Sequence, residues 1–177
     1  MRLFFAALPG AEVCRQLESA SHALRLAPET RRVPAENYHL TVAFAGEVSQ
    51  AQARALRAVR AAERPAAFAI SFSSYELWHR SEALVAAVSD CPPQLLDLHR
   101  RLCAELEGLG LASDLLAFRA HVTLARKVTQ APVLKAMSPI CWQVRALHLL
   151  QSSGTTAGSV YTVVDTWPLL DNAPRGE

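Results

Sequence analysis

His39-Leu40-Thr41-Val42-Ala43 and His121-Val122-Thr123-Leu124-Ala125 are one pattern written twice, His-apolar-Thr-apolar-Ala, 82 residues apart. Both stretches are rich in strand formers, and the first stops at Gly46. Successive side chains of a strand point to opposite faces. His39, Thr41 and Ala43 are therefore expected on one face, with Leu40, Val42 and Phe44 on the other, and His121 and Thr123 likewise oppose Val122 and Leu124. Each strand would bury one side under helices and present a His/Thr pair on the other. With six His and eight Thr in the chain, chance yields two such pairs in roughly one sequence in thirty of this composition, and fewer with matched apolar flanks. The repeat is read as chemistry, against the rival reading of a duplicated structural lobe without catalysis.

Outward from the repeat, Leu3 to Leu8 reads as a strand and Gly10 to Ala27 as an amphipathic helix with Val13, Leu17, Ala20 and Leu24 on one face. A basic turn follows at Arg31-Arg32-Val33-Pro34. After the first motif strand, Tyr38 to Ala45, Ser49 caps a second helix that closes at Pro65, with Ala53, Leu56 and Val59 to Ala61 inward and Arg54, Arg57, Arg60 and Arg64 solvated. Strands are expected at Ala67 to Leu77 and Glu82 to Ser89, joined by a turn at His79-Arg80-Ser81. Pro92 or Pro93 opens a third helix, and strands follow at His121 to Lys127, Ile140 to Gln151 and Val160 to Leu169. The Gly/Ser/Thr-rich link Ser152 to Ser159 suits a hairpin, since no helix follows it and no Lys-Ser/Thr pair closes it. This order, with hairpin-type links, predicts an α+β fold with antiparallel pairing.

The 177 residues, 51% hydrophobic, suffice for one packed domain or two small lobes sharing a core. No apolar run approaches the roughly 20 residues of a membrane span, and the N-terminal run is as short as a strand, so a cytoplasmic protein is expected. A net charge of +2 is too weak to hold long nucleic acid non-specifically, so anion selectivity must come from a local site. Cys14, Cys91, Cys103 and Cys141 form no C-x-x-C pair and read as buried small hydrophobes.

Two imidazoles with ordinary pKa values near 6.5 can stand at neutral pH with one protonated and one not. Phosphodiester hydrolysis needs such a pair: a base for water on one side of phosphorus, and an acid for the departing oxygen on the other. Thr41 and Thr123 hydroxyls could donate to the non-bridging oxygens, where charge builds. Neither motif has H-x-H or H-x-x-x-H spacing or an accompanying carboxylate, so no metal is implied. His22, His79, His99 and His148 lack a Thr two residues on and are assigned no role. Tyr38, Phe44, Phe118, Trp78 and Trp142 are candidates for base stacking, with no choice among them.

Through Arg2-Leu3-Phe4-Phe5-Ala6, Asn37-Tyr38-His39-Leu40-Thr41-Val42-Ala43-Phe44-Ala45-Gly46-Glu47-Val48 and Phe118-Arg119-Ala120-His121-Val122-Thr123-Leu124-Ala125-Arg126, with Tyr161 in the final strand, the chain resembles the two-histidine (2H) phosphoesterase superfamily. Within it the resemblance is to the RNA 2',3'-cyclic phosphodiesterases, once called 2'-5' RNA ligases. It departs from their pattern at Ala120, where proline is common, and at Ala45, where a larger apolar residue is usual.

The resemblance implies two pseudo-twofold-related α+β lobes whose antiparallel sheets line a central cleft, with helices outside. Residues 1–170 would form one domain of two intertwined lobes, and 171–177 a flexible tail. It implies hydrolysis of 2',3'-cyclic phosphate ends of RNA to a 2'-phosphomonoester, with His39 as proton donor, His121 as acceptor, and no cofactor. The partners would be RNA ends or nucleotides bearing a 2',3'-cyclic phosphate, no membrane is involved, and a monomer is expected. Arg126 matches a basic position that helps hold phosphate; strand parity puts it opposite His121 unless a bulge or the strand end intervenes. Lys127 and Arg31-Arg32 are weaker candidates. Rival readings are a small cyclic nucleotide or a 2'-5' linkage as substrate, with weak reverse ligation, and a non-catalytic nucleotide- or RNA-binding module. Binding alone would not require two proton-transfer groups.

Overall fold

A computed structural model describes residues 1–59, 65–112, 118–155 and 158–170. Their order is β1 (Arg2–Ala7), α1 (Ala11–His22), β2 (Arg31–Arg32), β3 (Leu40–Glu47), α2 (Gln50–Ala58), β4 (Phe68–Trp78), β5 (Ala83–Val88), α3 (Pro93–Gly108), β6 (His121–Arg126), β7 (Ile140–Val144), β8 (Ala146–Thr155) and β9 (Gly158–Pro168). Two antiparallel sheets result, ordered β3-β1-β8-β9 and β2-β6-β5-β4-β7, so the α+β expectation holds. The end of the second expected helix at 60–64, the hairpin tip at 156–157 and the tail at 171–177 lie outside the described residues.

Local chemistry sets the helix bounds. Ser49 and Gln52 form a reciprocal capping box at the start of α2, and Pro93 opens α3. The first helix stops at His22, short of the expected Ala27. The Arg32 guanidinium reaches its end, donating to the Ser21 carbonyl, to Ser21 Oγ at 3.0 Å and to the Leu24 carbonyl at 2.8 Å. Carbonyls left open at a helix C-terminus are thereby satisfied by a cation, where the macrodipole favours one.

Three further expectations are corrected. Arg31-Arg32 is no turn but a short strand paired with Ala125 and Arg126 of β6. Ile140 to Gln151 is two strands, one in each sheet, parted at Arg145. Its buried residues change phase there, from Ile140, Trp142 and Val144 to Leu147 and Leu149, as a crossing between layers requires. Among the cysteines Cys103 alone is buried; Cys14 and Cys91 are half-buried, and Cys141 is exposed.

The helices are exchanged between layers. Although α1 follows β1 of the first sheet, it packs on β6 and β7 of the second, while α3, leading into β6, packs on β3 of the first. One apolar cluster accordingly joins Leu3, Phe5 and Leu40 to Leu84, Val122 and Leu124. Among the described residues, no helix is long and apolar enough to cross a membrane.

Candidate active site

The two sheets approach each other along β3 and β6, the strands that carry the repeat. Each is bulged at the same place in its motif. Across β1 and β3, Ala6 pairs with Thr41 and Phe5 with Ala43, leaving Val42 as the extra residue; across β5 and β6, Val85 pairs with Thr123 and Leu84 with Ala125, leaving Leu124 extra. Val42 and Ala43 both turn into the core, as do Leu124 and Ala125. Alternation is therefore reset after each Thr. Phe44, expected beside Leu40 in the core, is 43% exposed and stacks on Phe4, and Ala43 takes its inward place. By the same reset Arg126 returns to the face of His121 and Thr123.

A bulge strands a carbonyl, and in both strands an outside donor meets it. His99 Nδ1–H reaches the Val42 carbonyl at 2.7 Å, and the Val33 backbone N–H reaches that of Leu124 at 2.9 Å. His99 is 94% shielded, since only 6% of its surface is exposed, and it stacks on Phe118.

The two motif histidines share one further device. Nδ1 of His39 lies 2.7 Å from the Asn37 carbonyl, and Nδ1 of His121 lies 2.6 Å from the Arg119 carbonyl. A carbonyl can only accept, so Nδ1 carries the hydrogen in both rings. Nε2 of each is left to exchange a proton, and it has no hydrogen-bond partner among the described residues.

Aromatic rings surround both imidazoles. His39 sits against Phe4 and Tyr161, with centroids 5.2 and 4.7 Å away. Trp78 lies 4.2 Å from His121, its Nε1–H held by Glu76 at 2.9 Å while Arg119 pairs with the same carboxylate and covers the indole. Burial is the main cause that lowers both histidine pKa values below 6.5, and the bonds to Asn37 and Arg119 oppose it. Cationic neighbours lower them further: Arg126 and His121 act on His39, Arg126 and Arg119 on His121, with Glu76 opposing the latter.

A cavity of about 520 Å³ brings His39, Thr123 and Arg126 together with Arg31, Lys127 and Tyr161. Thr41 and His121 do not line it, although Thr41 pairs with Ala6, whose face carries Phe4 and Tyr161, and the charge of His121 is felt at His39. A second cavity of about 490 Å³, beside α3, contains none of these residues. Of the stacking candidates, Tyr38 and Trp142 are buried and Phe118 covers His99, while Trp78 and Phe44 stand on the motif side. Asn37, Arg119 and Glu76 were given no role by the sequence: the first two meet the histidines through their backbone carbonyls, and Glu76 is brought to Trp78 and the Arg119 side chain by sheet order. Among the described residues, no three His, Cys, Asp or Glu gather to hold a metal ion.

Known proteins resemble this chain along almost its whole length. A family model described as the 2'-5' RNA ligase superfamily matches residues 9–156. The RNA 2',3'-cyclic phosphodiesterase of Escherichia coli (strain K12) is 30% identical over 171 residues, covering 95% of this chain and 96% of that protein. Among solved structures, a phosphoesterase superposes with a TM-score of 0.89 at 27% identity, over 96% of this chain and 98% of that one. E. coli LigT complexed with 3'-AMP does so with a TM-score of 0.87 at 28% identity, over 96% and 98%. A structure from Thermus thermophilus, TT0787, gives 0.82 at 26% identity, over 98% and 100%.

Proposed function

The chain belongs to the 2'-5' RNA ligase superfamily, and on that ground we propose that it hydrolyses 2',3'-cyclic phosphate ends of RNA to 2'-phosphomonoesters. The observation that carries this reading is the matched pair of Nδ1–carbonyl bonds, which leaves two histidines, in each other's field, with Nε2 as their exchangeable site. The name of the 30% identical E. coli relative supports the substrate class.

Water attacks phosphorus as His121 Nε2 takes its proton, and the bond to the 3' oxygen breaks as His39 Nε2–H supplies a proton to that oxygen. The products are a 3' hydroxyl and a 2' phosphomonoester, with His39 left neutral and His121 protonated; exchange with water resets the pair. This polarity is the one that the family resemblance implies for the two motif histidines. Thr41 and Thr123 donate to the non-bridging oxygens, and Arg126 balances the charge that accumulates there. Both free-enzyme histidines are biased towards the neutral form by burial, so the bound phosphate anion is what draws a proton onto His39.

The test is to incubate the protein with an oligoribonucleotide ending in a 2',3'-cyclic phosphate and with one containing a 2'-5' linkage, then identify the ends formed. Opening of the ring to a 2'-phosphate is expected. Cleavage or joining confined to the 2'-5' linkage would move the substrate elsewhere, and binding without turnover would make the chain a binding module.

A further inference from the structure

The cavity wall made by β2 and the end of β6 breaks local rules that the chain keeps elsewhere. Arg31 and Arg126 are direct cross-strand partners, and like charges placed so destabilise a ladder. Lys127 follows immediately with φ of 57°, and Glu82, whose carbonyl accepts from the Val128 N–H at 2.9 Å, has φ of 47°. They are the two non-glycine residues with left-handed backbone among the described residues, and both line this cavity. Strain of this kind persists where surrounding structure enforces it, and it collects at ligand sites.

The cations themselves are unspent. Arg15, Arg57, Arg100 and Arg119 each meet a carboxylate, and the Arg32 guanidinium is engaged at the end of α1. The side chains of Arg31, Arg126 and Lys127 have no such partner among the described residues. What separates them from lone solvated charges is that three converge on one concave wall, facing His39 and Thr123. One reacting phosphate, taken by Arg126, leaves Arg31 and Lys127 without an anion. Adjacent strands lie about 4.8 Å apart, so Arg31 and Arg126 can serve two phosphates of one nucleotide. A volume of about 520 Å³ is within the range of small-ligand sites.

We propose that Arg31 and Lys127 form a second phosphate site that takes the 5' phosphate of the nucleoside whose cyclic phosphate reacts. The preferred substrate is then a 5'-phosphorylated or chain-linked nucleotide rather than the bare nucleoside 2',3'-cyclic phosphate. This deepens, and rests on, the phosphodiesterase reading.

The experiment compares kcat/KM for three substrates: a nucleoside 2',3'-cyclic phosphate, its 5'-phosphorylated form, and a dinucleotide with the same cyclic end. It uses the full chain and its Arg31→Gln/Lys127→Gln variant, with Lys127→Asn as a second replacement better suited to a left-handed backbone. The wild type should favour both 5'-phosphate-bearing substrates by about tenfold, the scale of one charge-assisted contact. In the double variant that preference should collapse towards unity, and the dependence of log kcat/KM on log salt should flatten by about one contact. Arg31→Lys, which keeps the charge, should retain part of the preference. Equal rates on all three substrates in the wild type, or a preference that survives the double variant, overturns the second site while leaving the phosphodiesterase standing. A preference for the dinucleotide but not for the 5'-phosphorylated nucleoside overturns it too, by assigning recognition to the added nucleoside. No turnover of any substrate defeats the phosphodiesterase reading itself, and the proposal with it.

Discussion

At His39 and His121 a backbone carbonyl two residues back fixes the hydrogen on Nδ1, so the acid–base chemistry proposed for the pair reduces to the protonation of two Nε2 atoms. Both pKa values are pushed below 6.5, chiefly by burial. The product of one protonated and one neutral ring then peaks between two lowered values. A bell-shaped kcat/KM with its maximum below pH 6.5 is expected, and the kcat maximum should sit at higher pH, because bound phosphate stabilises an imidazolium. A kcat/KM that climbs without a maximum through pH 8 contradicts complementary roles. Thr123→Val keeps shape and removes a donor; the chemical step should slow by roughly one to three orders of magnitude, read in single-turnover kinetics. An unchanged rate returns Thr123 to a structural role.

The bulges at Val42 and Leu124 decide which residues share the cleft face, and they mark where the sequence stops being legible. His-x-Thr alternation agrees with the burial of Leu40 and Val122 between half-buried His39, Thr41, His121 and Thr123, although His39 stands one residue ahead of β3. It fails one step later, at Ala43 and Phe44, because nothing in an apolar-Ala pair spells which residue is extra. Arg126 could be placed on the His121 side only on condition of a bulge or a strand end, and Leu124 supplies the bulge. The break at Arg145 did carry a signal, a change of phase in the apolar positions, but a continuous run of strand formers hid it. His99, which lacks the motif Thr, acts on the element rather than the substrate by meeting the Val42 carbonyl. His99→Leu leaves that carbonyl buried and unpaired, at a cost of about 1–3 kcal/mol, measurable by denaturant unfolding. A loss below about 0.5 kcal/mol would show that the bulge needs no clamp.

Across the whole molecule, the exchange of α1 and α3 between layers makes each motif strand depend on chain from the other half. Intertwined lobes were an expectation of the family resemblance, and the repeat alone did not say which helix would cover which sheet, because helix-face periodicity does not name the sheet it will cover. From the shared core we infer a single domain, which should unfold in one cooperative transition with coincident fluorescence and circular dichroism midpoints; two separated transitions would mean independent lobes. The proposed activity depends on the molecule bringing two histidines to one phosphate as acid and base. Single-turnover hydrolysis of an oligoribonucleotide with a 2',3'-cyclic phosphate end, by the wild type, His39→Ala, His121→Ala and the double variant, measures that pairing without intervening steps. Because the pair works as a unit, each single variant should lose at least about 100-fold, and the double variant little more than either alone. Full activity in either single variant, with the fold intact, would contradict it.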